Sequence, residues 1–182
     1  MPPFTVPIYS DIYPLDQFYA MRGEPVPVIG HIVDTDVPEP YRALLVHCND
    51  MTSTLENYYH EKLHVHVLAR RSVENEYFRE SALTLDESGR RVEFGAIKIN
   101  LDLFPPEARH EILRERQPLG RILPAFGLEF SSRPKAFLRM VSDSFIDRAL
   151  DLAEPQFLYG RRNTLLDAWE RPLAEIVELL PP

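Results

Sequence analysis

Apolar residues change their spacing along this chain several times, and each change marks an element. The first forty residues (PPFTVPIY, DIYPLDQFYAM, EPVPVIGHIV) mix prolines with aromatics and read as an extended arm with one short helix around Leu15–Met21. From Glu39 to His60 the spacing is helical: Leu44, Leu45 and Cys48, then Met51, Leu55 and Tyr58. Asn49 or Asp50 is placed to cap the second of these helical stretches. The period then drops to two. LHVHVLA sets Leu63, Val65, Val67 and Ala69 against His64, His66 and Leu68. EYFRESALTL sets Tyr77, Arg79, Ser81, Leu83 and Leu85 against the rest, DESG at Asp86–Gly89 makes a hairpin turn, and RVEFGAIKINL returns. Short connections between such strands predict an antiparallel sheet.

A helix follows, with Pro105 and Pro106 in its first turn and Glu107 at its positive end. Pro118 closes it, and Leu119 to Leu123 makes a further turn. Strand signals return in LEFSS and AFLRMV. SFIDRALDLA fits either a short helix or an extended piece. FLYGRRNTLLDA and PLAEIVELLPP form a last hairpin around Trp169–Arg171. The expected fold class is α+β, one antiparallel sheet with helices on one face. The expected division is a Pro-rich arm over 1–40 and a single domain over 41–182.

Composition narrows the partners. The chain has 182 residues, 45% of them hydrophobic, enough for one domain with a sizeable core. Seventeen prolines against seven glycines point to stiff loops. A net charge of −8 argues against nucleic acid as the main partner, because phosphate binding needs a basic surface. MPPFTVPIYS has no basic n-region or long apolar run, so no secretory signal is expected. No window approaches about 18 apolar residues, so no membrane span is expected either. Cys48 stands alone, and a cytoplasmic location is the default.

Arg79 is the first candidate for chemistry, because it sits on the more apolar parity of its strand. A buried guanidinium needs a carboxylate of the chain or a bound anion, and its planar fork suits a ligand carboxylate. Glu178 shares parity with Ala174, Ile176 and Leu180, and Glu175 with Leu173, Val177 and Leu179. Either acid on an apolar face would have a raised pKa and could donate a proton, or could pair with Arg161, Arg162 or Arg171. His64 and His66 form an HxH, but their potential co-ligands His47, His60 and Glu61 are scattered, so no metal is expected. His47 precedes a possible pocket helix. No GxSxG, GxGxxG or Walker pattern occurs.

Four segments in order carry a resemblance: NDMTSTLE (49–56), YFRESALTL (77–85), RQPLGRIL (116–123) and FLYGRRNTLLDAWERPLAEIVELLP (157–181). They resemble the helix start, the arginine-bearing strand, the PLG motif and the last hairpin of chorismate pyruvate-lyases. LDLFPPEA…PLG is closer to the mycobacterial-type 4-hydroxybenzoate synthases than to the enterobacterial type. The resemblance implies a sheet of about six strands over a buried ligand cavity. It implies elimination of pyruvate from chorismate to give 4-hydroxybenzoate, without metal or organic cofactor. By motif, Arg79 would hold the ring carboxylate, Met51 and Leu119 would line the cavity, and Arg79 and Glu178 would be the catalytic pair. Matching Glu178 rather than Glu175 requires one extra residue after Pro172. The second arginine of the enterobacterial type is absent from Gly95–Lys98, which leaves Lys98 or an arginine near Arg161 as substitutes.

Two alternatives accompany the lyase expectation. One is a biosynthetic enzyme reusing the cavity for cyclisation, dehydration or elimination on another carboxylate. The other is a non-catalytic small-molecule-binding protein, since the same fold serves as the effector domain of bacterial transcription regulators. The Pro-rich, acidic first forty residues do not read as a DNA-binding helix-turn-helix, which counts against the second alternative.

Overall fold

The computed structural model describes residues 10–182. MPPFTVPIYS, read above for a signal, lies outside these except for Ser10. Seven strands form one antiparallel sheet in the order β1-β5-β6-β7-β4-β3-β2. In chain order they are β1 Ile29–Ile32, β2 Leu63–Val73, β3 Glu76–Leu85, β4 Arg91–Asn100, β5 Ser131–Val141, β6 Phe157–Leu166 and β7 Pro172–Leu180. The α+β single-sheet expectation holds. The seventh strand comes from the arm, where β1 pairs with β5 from Ile29↔Met140 to Ile32↔Phe137. LEFSS and AFLRMV belong to one strand that begins at Ser131. Pro134 is tolerated inside it because the β5–β6 register shifts between Pro134 and Ala136, and β1 pairs only beyond that point.

The helices are α1 Leu15–Arg22, α2 Tyr41–Leu45, α3 Met51–Tyr59, α4 Pro106–Leu113, α5 Leu119–Ala125 and α6 Ser144–Leu150. SFIDRAL is therefore helical. Asp143 decides this by accepting from the backbone N–H groups of Phe145 and Ile146, both at 2.9 Å. Asp50 caps α3 the same way, accepting from the Ser53 N–H at 2.8 Å. Pro106 opens α4, where its missing N–H costs nothing. Among the described residues no helix is long and apolar enough to cross a membrane.

Helices cover both faces of the sheet, not one. Apolar residues occupy both parities of the central strands, so each face needs a partner layer. Phe78, Phe94, Ala96, Val177 and Leu179 pack with α1 and α6. On the opposite face Tyr77, Ile97 and Ile99 pack with α4 and α5, and Leu83, Leu85 and Val65 pack with α2 and α3. The α1 side is fastened by polar contacts. Tyr19 donates to Asp143 at 2.5 Å, and Arg22 pairs at 2.7 Å with the fully buried Glu80.

Candidate functional site

A cavity lies between the α2–α5 face of the sheet and the starts of α3 and α5. Strand pairing sets its floor. Arg79 on β3 lies opposite Ile97 on β4, which lies opposite Ile176 on β7, which lies opposite Asn163 on β6. One step along, Ser81, Gly95, Glu178 and Arg161 form the next row, and Leu83 opposite Glu93 begins a third. Met51 and Thr52 of α3 and Leu119 and Gly120 of α5 supply the roof. The two helix starts meet closely at Gly120, where a Cβ would come within 2.5 Å of an Asp50 carboxylate oxygen. The cavity volume is about 60 Å³.

Arg79, Glu178, Met51 and Leu119 all line this cavity, so the structure brings together every site residue picked from the sequence. Their situations differ. Arg79 is only 4% exposed and makes no hydrogen bond or ion pair among the described residues, and its Nε is buried without an acceptor. Burial pushes its guanidinium pKa down, opposed by the fields of Tyr77, Glu115 and Glu93. Two of these neighbours are engaged with each other and with Arg70. The Tyr77 hydroxyl donates to Glu115, and Glu115 also pairs with Arg70.

Glu178 is paired. It accepts from Nε of Arg161 at 2.5 Å. Arg161, fully buried, uses its other nitrogens on the carbonyls of Leu45 (3.2 Å), His47 (3.1 Å) and Asn49 (3.2 Å). One guanidinium thus fastens the α2–α3 connection onto the sheet. His47 belongs to that latch. Its Nδ1 accepts from the Asn49 N–H at 3.1 Å, which leaves Nε2 as the donor to Leu44 O at 2.7 Å. Burial and the Arg161 charge both lower its pKa. Glu175, the alternative to Glu178, accepts from the Thr164 hydroxyl at 2.9 Å and does not line the cavity.

The tuned acid of the cavity is Glu93, which the sequence reading passed over. It shares parity with Gly95, Ile97 and Ile99, the same signal that singled out Arg79. Its Oε2 is buried without a partner among the described residues. Burial first, then the nearby Glu178, raise its pKa well above the usual carboxylate range, against the pull of Arg161 and Arg79. Lys98, a suggested substitute for the absent arginine, has the opposite parity to Ile97 and pairs with Glu76. Of the HxH, His64 pairs with Asp86 at 2.7 Å, and both histidines are exposed. The described residues hold no cluster of three or more potential metal ligands.

No protein-family model matches the sequence, and no curated protein matches it. Solved structures match by shape. One is the ligand-binding domain of a protein assigned to the GntR family of transcriptional regulators, from Bordetella bronchiseptica. Its TM-score is 0.50 at 12% identity, covering 65% of this chain and 85% of that one. A second is the effector domain of PhnF from Mycobacterium smegmatis, with TM-score 0.54 at 13% identity, covering 72% and 88%. Against whole PhnF the TM-score is 0.54 at 15% identity, and this chain spans only 64% of that protein's length. These are regulator domains, not lyases. They overturn the expected chorismate pyruvate-lyase activity, with its lyase and aromatic-acid-biosynthesis context. The geometry agrees, because the expected proton donor Glu178 is held by Arg161. In fold the chain is similar to the ligand-binding domains of GntR-family transcriptional regulators.

Proposed function

We propose that the chain is a non-catalytic effector-binding domain whose cavity takes a small anion on Arg79. The observation that carries this reading is a buried guanidinium with no partner among the described residues, facing the cavity. Leaving a buried charge unpaired costs several kcal/mol. A bound carboxylate, phosphate or similar oxyanion would recover that cost through paired N–H···O bonds. The likeness to regulator domains supports a sensing role. Met51 and Leu119 would exclude water from the bound group, while Arg161 and Glu178 hold the wall. The small volume favours a compact ligand, since pockets for drug-sized molecules enclose roughly 300 Å³ or more.

On this reading these residues sense a ligand and do not themselves contact DNA, in keeping with the net charge of −8. The test is thermal melting of wild type and Arg79→Met across a series of small anions. Wild type should be stabilised by at least one carboxylate or phosphate, by about 2.7 kcal/mol at a hundredfold excess over Kd. Arg79→Met should show no such shift. Equal stabilisation of both proteins would overturn the assignment.

A further inference from the structure

We propose that the cavity is selective for a short dipolar ion, with its acidic group on Arg79 and an ammonium group on Glu93. This rests on the anion-binding reading above and adds the second half of the ligand. Arg161 and Glu178 neutralise each other, and the Asp50 carboxylate accepts from the Ser53 N–H and hydroxyl as the cap of α3, which leaves the Arg79 guanidinium and the Glu93 carboxyl as the uncommitted charged groups of the cavity wall. These two make no ion pair with each other, and each has a buried polar atom without a partner, Nε of Arg79 and Oε2 of Glu93.

Strand register explains why they stay apart. Glu93 lies opposite Leu83, so the two groups project from the same face four residues apart in strand register. That is roughly 13 Å of strand. Between them lies the pair Ser81↔Gly95, one short side chain and one absent. Gly95 must stay bare, because a Cβ there would come within 2.1 Å of the Val177 carbonyl oxygen. The floor between the two charged groups is therefore open, and a short molecule could lie along it with one end on each. The space of about 60 Å³ is roughly that of four water-sized volumes, suited to a chain of a few heavy atoms. A simple anion would satisfy Arg79 and leave Glu93 unmatched. An amino acid satisfies both.

The charged groups around Glu93 are Glu178 on β7, Arg161 on β6 and Arg79 on β3. In the free protein burial and the nearby Glu178 favour the protonated form of Glu93. When an ammonium group binds there, the Glu93 proton passes to solvent and the carboxylate pairs with the ammonium. The ligand's own charges do not change, and one proton is released per ligand.

The experiment is calorimetric titration of the full chain with glycine, β-alanine and 4-aminobutyrate, each beside its analogue without the amine: acetate, propionate and butyrate. Running it in two buffers of different ionisation enthalpy counts protons. The expected result is that at least one amino acid binds at least about tenfold more tightly than its analogue, with release of about one proton. Glu93→Gln keeps the shape of the neutral acid and should erase that preference, its fold checked by melting. The proposal is overturned if the analogues bind as well as the amino acids, if Glu93→Gln leaves the preference intact, or if none of the three amino acids binds. Analogue binding that is lost in Arg79→Met would leave the anion site standing while removing the dipolar-ion class. Binding indifferent to Arg79→Met would remove both.

Discussion

Arg79 and Arg161 project from the same face of one sheet in adjacent cross-strand rows, both buried, yet among the described residues Arg161 is bonded through every nitrogen and Arg79 through none. The same chemical group is a structural rivet in one row and an open valence in the next. The contrast separates stability from binding, and each arginine makes its own prediction.

Arg79→Met should stabilise the unliganded protein by about 1–3 kcal/mol, because it removes a desolvated donor that nothing accepts from. Urea denaturation without added ligand measures this. A loss of stability would mean that Arg79 has a partner within the fold.

Arg161→Met should have the opposite effect. It leaves Glu178 buried without its counter-charge and frees the carbonyls of Leu45, His47 and Asn49. Breaking a buried pair from one side costs about 3–5 kcal/mol. Hydrogen exchange should show the α2–α3 connection opening first. Unchanged protection there would rule out the latch.

Glu93 predicts a pH profile. Its proton is held more tightly in the folded chain than in the unfolded one, where a glutamate titrates near about 4.3. As pH rises above that value, the unfolded chain gives up a proton that the folded chain keeps. Stability of the unliganded protein should therefore fall as pH rises from the ordinary carboxylate range to the raised folded-state pKa, and then level off. Glu93→Gln should flatten this part of the curve. Denaturant midpoints across neutral pH, compared between the two proteins, decide the matter.

Gly95→Ala should be disruptive out of proportion to one methyl group. The added carbon meets backbone, the Val177 carbonyl at 2.1 Å, and no rotamer can relieve it. Separating β4 from β7 also spoils the cavity floor. We expect a loss of about 2–4 kcal/mol, in the range of overpacked cores. Gly23→Ala, where open space surrounds the added carbon, is the control for steric crowding, although its left-handed backbone carries its own smaller cost.

Much of the architecture was written in local pattern. Period-two runs placed β2, β3, β4, β6 and β7. Asn49 or Asp50 marked the start of α3, and Pro105 and Pro106 that of α4. Arg79 was visible as a charge on an apolar parity. What escaped depended on partners distant in sequence. The pairing of β1 with β5 joins segments about a hundred residues apart, and nothing within IGHI announces it. The second helical layer was legible in the apolar residues of the other parity, Phe78, Phe94 and Val177, but only once the strands are aligned side by side. Glu178 lies in the cavity as its parity suggested, and of the arginines that could pair with it the structure selects Arg161, opposite it on the neighbouring strand. Glu93 was missed although its parity was as plain as that of Arg79. The short motifs carried the fold well. They carried the activity badly, because the same fold is found in the ligand-binding domains of regulators.

Arg79 and its neighbour Glu80 point to opposite sides of a single strand. One meets the cavity, and the other holds Arg22 at the end of α1. The sheet at this point is a membrane one peptide thick, with a receptor on the inside and a handle on the outside. Consecutive residues in a strand share a nearly rigid peptide plane between them. A displacement of β3 by a group bound to Arg79 would therefore reach the foot of α1 through one peptide plane.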